Sequence, residues 1–200
     1  MNLPFIVYAL PRSRTAWMAK FLSYNEWQCG HEQAIFMRSV YDIKRLFSLN
    51  YTGVVETAAA QGWRIIKHHV PHIRQVVVKR PIEDVMKSMV KTAEYDVPRL
   101  RKVMEYGNRM LDEISGQPGV LTLDFDSLGT MEGCAALFEH CLPYRFDSGW
   151  WKSLKGQNIQ LGVPEVITYY HEHKPEIEAF KSAMWREMRA LRRSNQITRH

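Results

Sequence analysis

The stretch from Phe5 to Leu22 constrains the fold more than any other part of the chain. It opens with an apolar run, Phe5–Leu10, that is short enough for one buried β-strand and that ends at Pro11. Beyond this break, apolar residues recur at helical spacing, namely Trp17, Met18, Phe21 and Leu22. The stretch therefore predicts a strand, a short loop and a helix.

The loop between them, Arg12-Ser13-Arg14-Thr15, carries two cations and two hydroxyls. It meets the first turn of the predicted helix, where backbone amides are unpaired and the helix dipole is positive. This combination predicts a site for a phosphate-like anion. A structural alternative is that Ser13 caps the helix and that both arginines are solvated. The loop lacks the glycines and the lysine of Gly-x-x-x-x-Gly-Lys-Ser/Thr, which argues against a nucleoside triphosphate site.

A second basic segment follows the clearest buried strand, Gln75–Lys79, which is β-branched and uninterrupted. Arg80 leaves the carboxyl end of this strand, and Ser88 lies two turns into the next predicted helix. Ligands bind at the carboxyl ends of strands in open α/β sheets. We therefore expect Arg80 and Ser88 to hold a phosphate from two sides. The structural alternative is that Arg80 pairs with Glu83 or Asp84.

Predicted strands alternate with predicted helices along the rest of the chain. We expect further strands at 27–29, 53–56, 63–67 and 120–123. We expect helices at 38–49, 81–93, 97–115 and 131–141, and an irregular aromatic stretch at 142–162. This alternation favours an α/β fold with three layers around a mostly parallel central sheet. A single domain is expected over residues 1–200, with a C-terminal helix at about 175–195 packed on it.

The basic composition bears on the kind of partner. The formal net charge is +6 and the sequence pI is near 9.3, which favours a polyanionic or phosphorylated partner. The C-terminal helix carries Arg186, Arg189, Arg192 and Arg193, a pattern compatible with RNA or acidic lipid. Charged residues outside an apolar stripe are more often a solvated face, so we expect neither nucleic acid nor a membrane as partner.

Cysteine and histidine usage bears on compartment and metal binding. The three cysteines lack metal-ligand spacing, which favours a reducing, cytoplasmic compartment. No apolar run reaches 18 residues, so we predict neither secretion nor a membrane span. His68 and His72 are four residues apart, but Pro71 interrupts a helix between them, so no metal site is expected.

Four segments, in this order along the chain, resemble sulfotransferases that use 3′-phosphoadenosine 5′-phosphosulfate (PAPS). Pro11–Trp17 resembles the family's 5′-phosphosulfate loop, usually Pro-Lys/Arg-Ser-Gly-Thr/Ser-Thr-Trp/Leu. Arg64–Pro71 resembles the Arg-Ile-Ile-Lys-Thr-His-Leu-Pro segment of the cytosolic members. Arg80–Ser88 resembles the 3′-phosphate motif, an arginine followed eight residues later by a serine. Val120–Leu128 is similar to the late strand that ends in a Tyr-Glu-Asp-Leu-like turn.

The resemblance implies a P-loop NTPase-like sulfotransferase architecture and an activity. A sulfuryl group would pass from PAPS to a hydroxyl of a small-molecule or glycan acceptor, or, as the less favoured option, to an amine, without a metal and leaving 3′-phosphoadenosine 5′-phosphate. Arg12 would stabilise the leaving phosphate oxygen, and Lys67 would neutralise the transferring group. The nucleotide would be bound by Arg12, Ser13, Arg14, Thr15, Ala16, Trp17, Arg80 and Ser88. For Trp17 both a core position and stacking on adenine stay open.

Sulfuryl transfer also needs a base for the proton of the acceptor hydroxyl. His69 matches the family's catalytic histidine by its Lys-x-His-x-Pro setting. Glu32, or its neighbour His31, is the competitor, because some bacterial members place a carboxylate base in the loop at this point. We favour His69 over Glu32.

The chain departs from the family pattern at two places. Arg14 stands where the family has glycine, and the late Arg-Lys-Gly-x-x-Gly motif is absent, with only an echo at Trp151–Gly156. Two other functions stay open. One is a nucleotide or small-metabolite kinase of the P-loop type, and the other is a non-catalytic protein of the same fold that binds nucleotide or RNA.

Overall fold

The central β-sheet organises the part of the chain that the computed structural model describes, residues 3–159 and 171–197. Its strands are β1 (Phe5–Ala9), β2 (Gln28–His31), β3 (Thr52–Glu56), β4 (Arg74–Lys79) and β5 (Leu121–Asp124). They lie in the order β2-β3-β1-β4-β5, and every neighbouring pair is parallel. The predicted parallel sheet is therefore confirmed.

Helices cover both faces of this sheet. They are α1 (Thr15–Leu22), α2 (Val40–Ser48), α3 (Trp63–His69), α4 (Ile82–Met89), α5 (Val97–Ser115), α6 (Met131–Cys141), α7 (Ser148–Leu154) and α8 (Lys174–Ile197). Short 3₁₀ turns lie at Gln33–Phe36, Ala59–Gly62 and Phe125–Gly129.

The side chains of β1 point alternately to the two faces of the sheet, and so they belong to two core layers. Phe5, Val7 and Ala9 pack with α1, α6 and α7 on one face of the sheet. Ile6 and Tyr8 pack on the other face with residues of α2, α3, α4, α5 and α8. Because successive strand side chains point to opposite faces, one buried strand supplies both cores. The result is the three-layer α/β fold that the sequence predicts.

The prediction of a strand at 63–67 is wrong, because these residues begin α3. The neighbouring strands β3 and β4 both pair with β1, one on each side, and run parallel to it. Parallel strands need a crossover connection, and α3 lies in the one that passes over β1. A segment as short as Trp63–Ile66, which is apolar except for Arg64, suits either a strand or a buried helix, so its periodicity does not separate the two.

The other elements follow the predictions with shifted ends. The helix predicted at 81–93 ends at Met89, whereas the one at 97–115 is confirmed. The stretch expected to be irregular contains α7, which Asp147 caps by accepting from the amides of Gly149 and Trp150. The last residues of that stretch, 160–162, lie outside the described residues.

The strand order places a crevice beside the end of β1. From β1 the chain turns through α1 toward β2, whereas from the adjacent β4 it turns through α4 and α5 toward β5. The two connections leave in opposite directions along the sheet and on opposite faces. Such a switch point is where ligands bind in open α/β sheets. Within the described residues, no helix is long and apolar enough to cross a bilayer.

The close approach of β3 to Phe5 yields a test of the packing. A Cβ added at Gly53 would overlap the ring of Phe5, which stacks on Trp27 with ring centroids 5.7 Å apart. Gly53→Ala should therefore lower the free energy of unfolding by about 1–3 kcal/mol, measured by urea denaturation. Gly129→Ala is the matched control, because a Cβ there meets nothing within 4 Å. Equal stability of the two variants would contradict this account of the core.

Candidate functional site

The loop after β1 has an unusual backbone. Arg12 and Arg14 both lie in the left-handed region, with φ of 64° and 60°. Arg14 is the N-cap of α1, and no side chain caps that helix in the described part of the chain. The structural alternative in which Ser13 caps α1 is therefore wrong. Ser13 is fully buried, and its hydroxyl has no hydrogen-bond partner among the described residues.

Arg14 adopts the left-handed conformation that glycine adopts most easily, and its side chain turns away from the loop. Its guanidinium donates to the carbonyl of Leu128 at 3.2 Å and to that of Lys155 at 3.3 Å. It also lies over the ring of Trp17, 5.1 Å from the centroid. In this position the Arg14 side chain braces the loop against two later segments of the chain.

The structure brings Arg12, Arg80 and Ser88 together. Arg12 Nε donates to Ser88 Oγ at 3.1 Å, and Arg80 Nη1 donates to the backbone oxygen of Arg12. Arg12 and Arg80 follow the adjacent strands β1 and β4, so they reach the same edge of the sheet. Two guanidinium groups and a hydroxyl thus meet where the loop turns into α1, which is a suitable arrangement for an anion.

Arg80 is held by Phe125 rather than by the acids expected as the structural alternative. Its guanidinium lies over the Phe125 ring, 4.2 Å from the centroid, because β4 pairs with β5 and Lys79 stands opposite Asp124. Arg80 Nε is buried without a partner among the described residues. The acids of α4 have other partners: Glu83 binds Arg101, and Asp84 lies 3.8 Å from Lys87.

His31 closes β2 and contacts the loop. Its Nε2 lies 2.9 Å from Thr15 Oγ1 and 3.8 Å from Glu32 Oε1. Burial lowers the pKa of His31 to about 4, so the imidazole is neutral at ordinary pH and the contact with Glu32 is not an ion pair.

Two carboxyl groups lie side by side at the ends of β2 and β3. Glu32 Oε2 accepts from the Thr57 amide at 3.3 Å, and Glu56 Oε1 accepts from the Ala34 amide at 2.9 Å. Burial raises the pKa of Glu32, although bonds to Thr57 oppose this. Burial, and then the charge of Glu32, raise the pKa of Glu56 well above its usual range. Raised carboxyl pKa values in a cleft are typical of acid–base groups.

His69 and Lys67 do not join this site. They end α3, five residues or more before β4 begins at Arg74, beside the first residue of β1. That is the opposite edge of the sheet, roughly 17 Å from the loop at the strand rise of 3.3 Å. His69 Nε2 contacts Glu187 Oε1 of α8 at 2.7 Å, and Lys67 is exposed. The resemblance assigns both residues to the reaction, but the segment that carries them is α3 and not the expected strand, so both lie at the edge away from the loop.

Three tryptophans, Trp17, Trp150 and Trp151, pack in the layer of α1. Trp17 is 2% exposed, donates to the Leu154 carbonyl at 2.9 Å and stacks on Phe21. Contact of Trp17 with a nucleotide stays a prediction, and this burial argues against it. Trp150 donates to the Phe21 carbonyl, and Trp151 is 6% exposed, so both pack in the layer of α1. Ala16 is half-buried next to the loop.

No protein-family model matches this chain, and no curated protein sequence matches it. The interpretation of the site therefore depends on its geometry and on the resemblance of the four segments.

Two residues of the site were not singled out from the sequence. Glu56 ends the apolar strand Thr52–Glu56, as Glu32 directly follows β2, and this shared position at strand ends is the signal that points to it. Phe125 lies in the segment that resembles the family's late strand, but only the register of β5 against β4 brings it to Arg80.

The buried carboxyl of Glu56 predicts a pH dependence of stability. The pKa of Glu56 is raised from 4.5 in the folded protein. The protonated carboxyl therefore contributes fully to the free energy of unfolding below about pH 4.5, and this contribution is lost as the pH rises toward the folded pKa. Glu56→Gln removes this pH-dependent loss of stability, because a glutamine side chain does not ionise. The free energy of unfolding of the variant relative to wild type should rise by about 1 kcal/mol or more between pH 4.5 and pH 8, measured by urea denaturation. Glu94→Gln, at an exposed position, is the control, and a parallel change in both variants would contradict the prediction.

Proposed function

We propose that this protein is a PAPS-dependent sulfotransferase that transfers a sulfuryl group to a hydroxyl, or as the less favoured option an amine, of a small-molecule or glycan acceptor. The observation that carries the proposal is the meeting of Arg12, Arg80 and Ser88 at the end of β1. Three of the residues that the resemblance assigns to the nucleotide are in direct contact there, although they come from two separate segments.

The loop supplies the interactions that a phosphosulfate needs. The unpaired amides at the start of α1 and the positive end of its dipole favour the anion. The buried Ser13 hydroxyl has no hydrogen-bond acceptor among the described residues, and an anion oxygen would provide one. Arg12 then stabilises the negative charge that develops on the leaving phosphate oxygen, while Arg80 and Ser88 bind the 3′-phosphate.

Glu32 is the base that the geometry favours. It lies at the same edge of the sheet as the loop, is mostly buried, and has a raised pKa. As the acceptor oxygen attacks sulfur, its proton passes to the Glu32 carboxylate, and the bond from sulfur to the leaving phosphate oxygen breaks. Because His69 stands at the opposite edge of the sheet, we assign the role of the base to Glu32 and not to the favoured sequence candidate His69.

Calorimetry with 3′-phosphoadenosine 5′-phosphate and ADP tests the nucleotide. We expect the 3′-phosphorylated nucleotide to bind more tightly by at least tenfold, because Arg80 and Ser88 add charge-assisted bonds. Arg80→Ala should abolish this preference. Arg101→Ala is the matched control, since this arginine of α5 pairs with Glu83 of α4 at an exposed position. Tighter binding of ADP by wild type would favour the kinase alternative instead.

Transfer of labelled sulfate from PAPS to a panel of hydroxyl and amine acceptors tests the base. With an acceptor so identified, Glu32→Gln should lower single-turnover rates by about 100-fold or more while the nucleotide affinity is kept. His69→Gln should leave the rate within about threefold, because His69 lies at the opposite edge of the sheet, where its side chain contacts Glu187 of α8. A large loss in His69→Gln with an active Glu32→Gln would reverse the assignment.

A further inference from the structure

The contact between His31 and Thr15 links β2 to the loop at residues 12–15 across one intervening strand. β2 is not a neighbour of β1, because β3 lies between them. The imidazole nevertheless reaches Thr15, the first residue of α1, with 2.9 Å between Nε2 and Oγ1. Thr15 is 7% exposed, so its hydroxyl has few other directions in which to form a hydrogen bond.

This hydrogen bond has two possible directions, and they have opposite effects on an anion. If Nε2 carries the hydrogen, it donates to Thr15 Oγ1, and the hydroxyl hydrogen of Thr15 is free for another acceptor. If Nδ1 carries the hydrogen, Thr15 must donate to Nε2, and only oxygen lone pairs remain for the anion. A bound anion therefore favours the first direction.

Two features of the surroundings agree with a hydrogen on Nε2. Glu32 Oε1, at 3.8 Å from this nitrogen, is an electronegative neighbour on the same side of the ring. Nδ1 is buried and has no partner in the described part of the chain, so a hydrogen there would be a buried donor without an acceptor.

We propose that His31 is a positioning residue of the anion site: its Nε2–H donates to Thr15 Oγ1 and so directs the Thr15 hydroxyl hydrogen toward the anion held by the loop. His31 acts through Thr15 and takes no proton from the acceptor. The inference rests on the proposed function in so far as the loop is the anion site.

Two features suit the imidazole to this role. It is neutral at ordinary pH, because burial lowers its pKa to about 4, so it orients the hydroxyl without adding a charge that changes with pH. It is also held by the pairing of β2 with β3, where His31 stands opposite Val55. The hydroxyl is thus oriented by an element that does not belong to the loop.

A double-mutant cycle tests the proposal by calorimetry with 3′-phosphoadenosine 5′-phosphate. His31→Leu and Thr15→Val should each weaken binding by about tenfold, the loss of one hydrogen bond to a charged group. The double variant should be no weaker than Thr15→Val alone, because His31 acts only through that hydroxyl. His31→Gln, whose amide nitrogen reaches the place of Nε2, should restore binding to within about threefold of wild type. Thermal unfolding checks that each variant is folded.

The outcomes separate this inference from the proposed function. Unweakened binding by His31→Leu, or an equal loss in the wild-type and Thr15→Val backgrounds, overturns the role of His31 while leaving the nucleotide site intact. Inorganic pyrophosphate is the second probe. If wild type binds pyrophosphate but not the nucleotide, the proposed function fails and the same cycle on pyrophosphate still decides the role of His31. If it binds neither, both fail.

Discussion

The pairing of β1 on both sides is the constraint on which the rest of the structure depends. Every residue of this strand is at most 1% exposed, and its backbone pairs with β3 on one side and with β4 on the other. Backbone groups that leave water must be hydrogen-bonded, so the register of all three strands is tightly determined. The carboxyl ends of these strands therefore lie at the same edge of the sheet, and the loop after Ala9 begins at a fixed position along that edge.

This register explains how a site forms from residues that are far apart in the chain. Arg12, Arg80 and Phe125 each lie one to three residues beyond the end of a strand, and these three strands are consecutive in the sheet. On the other side of β1, Glu32 directly follows β2 and Glu56 is the last residue of β3, so both lie at this same edge. The cations thus collect around β1 and β4, and the two carboxyl groups, whose pKa values burial raises, collect around β2 and β3 at the neighbouring part of the same edge.

Much of this arrangement can be predicted from the sequence, and the features that the sequence does not predict have physical reasons. The strands β1 and β4 are apolar runs of the right length, and the proximity of Arg12, Arg80 and Ser88 follows once both are placed in one parallel sheet. The helix α3 is not readable, since a short run of buried apolar residues fits two periodicities. Because this segment is a helix and not a strand, Lys67 and His69 lie at the edge of the sheet opposite the loop. The brace formed by Arg14 depends on carbonyls more than 100 residues away, a tertiary contact with no local signal.

Arg14 has a consequence for the energetics of binding. A glycine in the left-handed position would leave the loop free to sample other conformations, and a ligand would have to select one of them. Here the backbone conformation is disfavoured by roughly 1–2 kcal/mol for a residue with a side chain, and two hydrogen bonds to Leu128 and Lys155 offset that cost. The conformational entropy of the loop is therefore lost during folding and not on association. Under the proposed function, a phosphosulfate would meet a preorganised loop, which the distant 3₁₀ turn and the residue after α7 hold in one conformation.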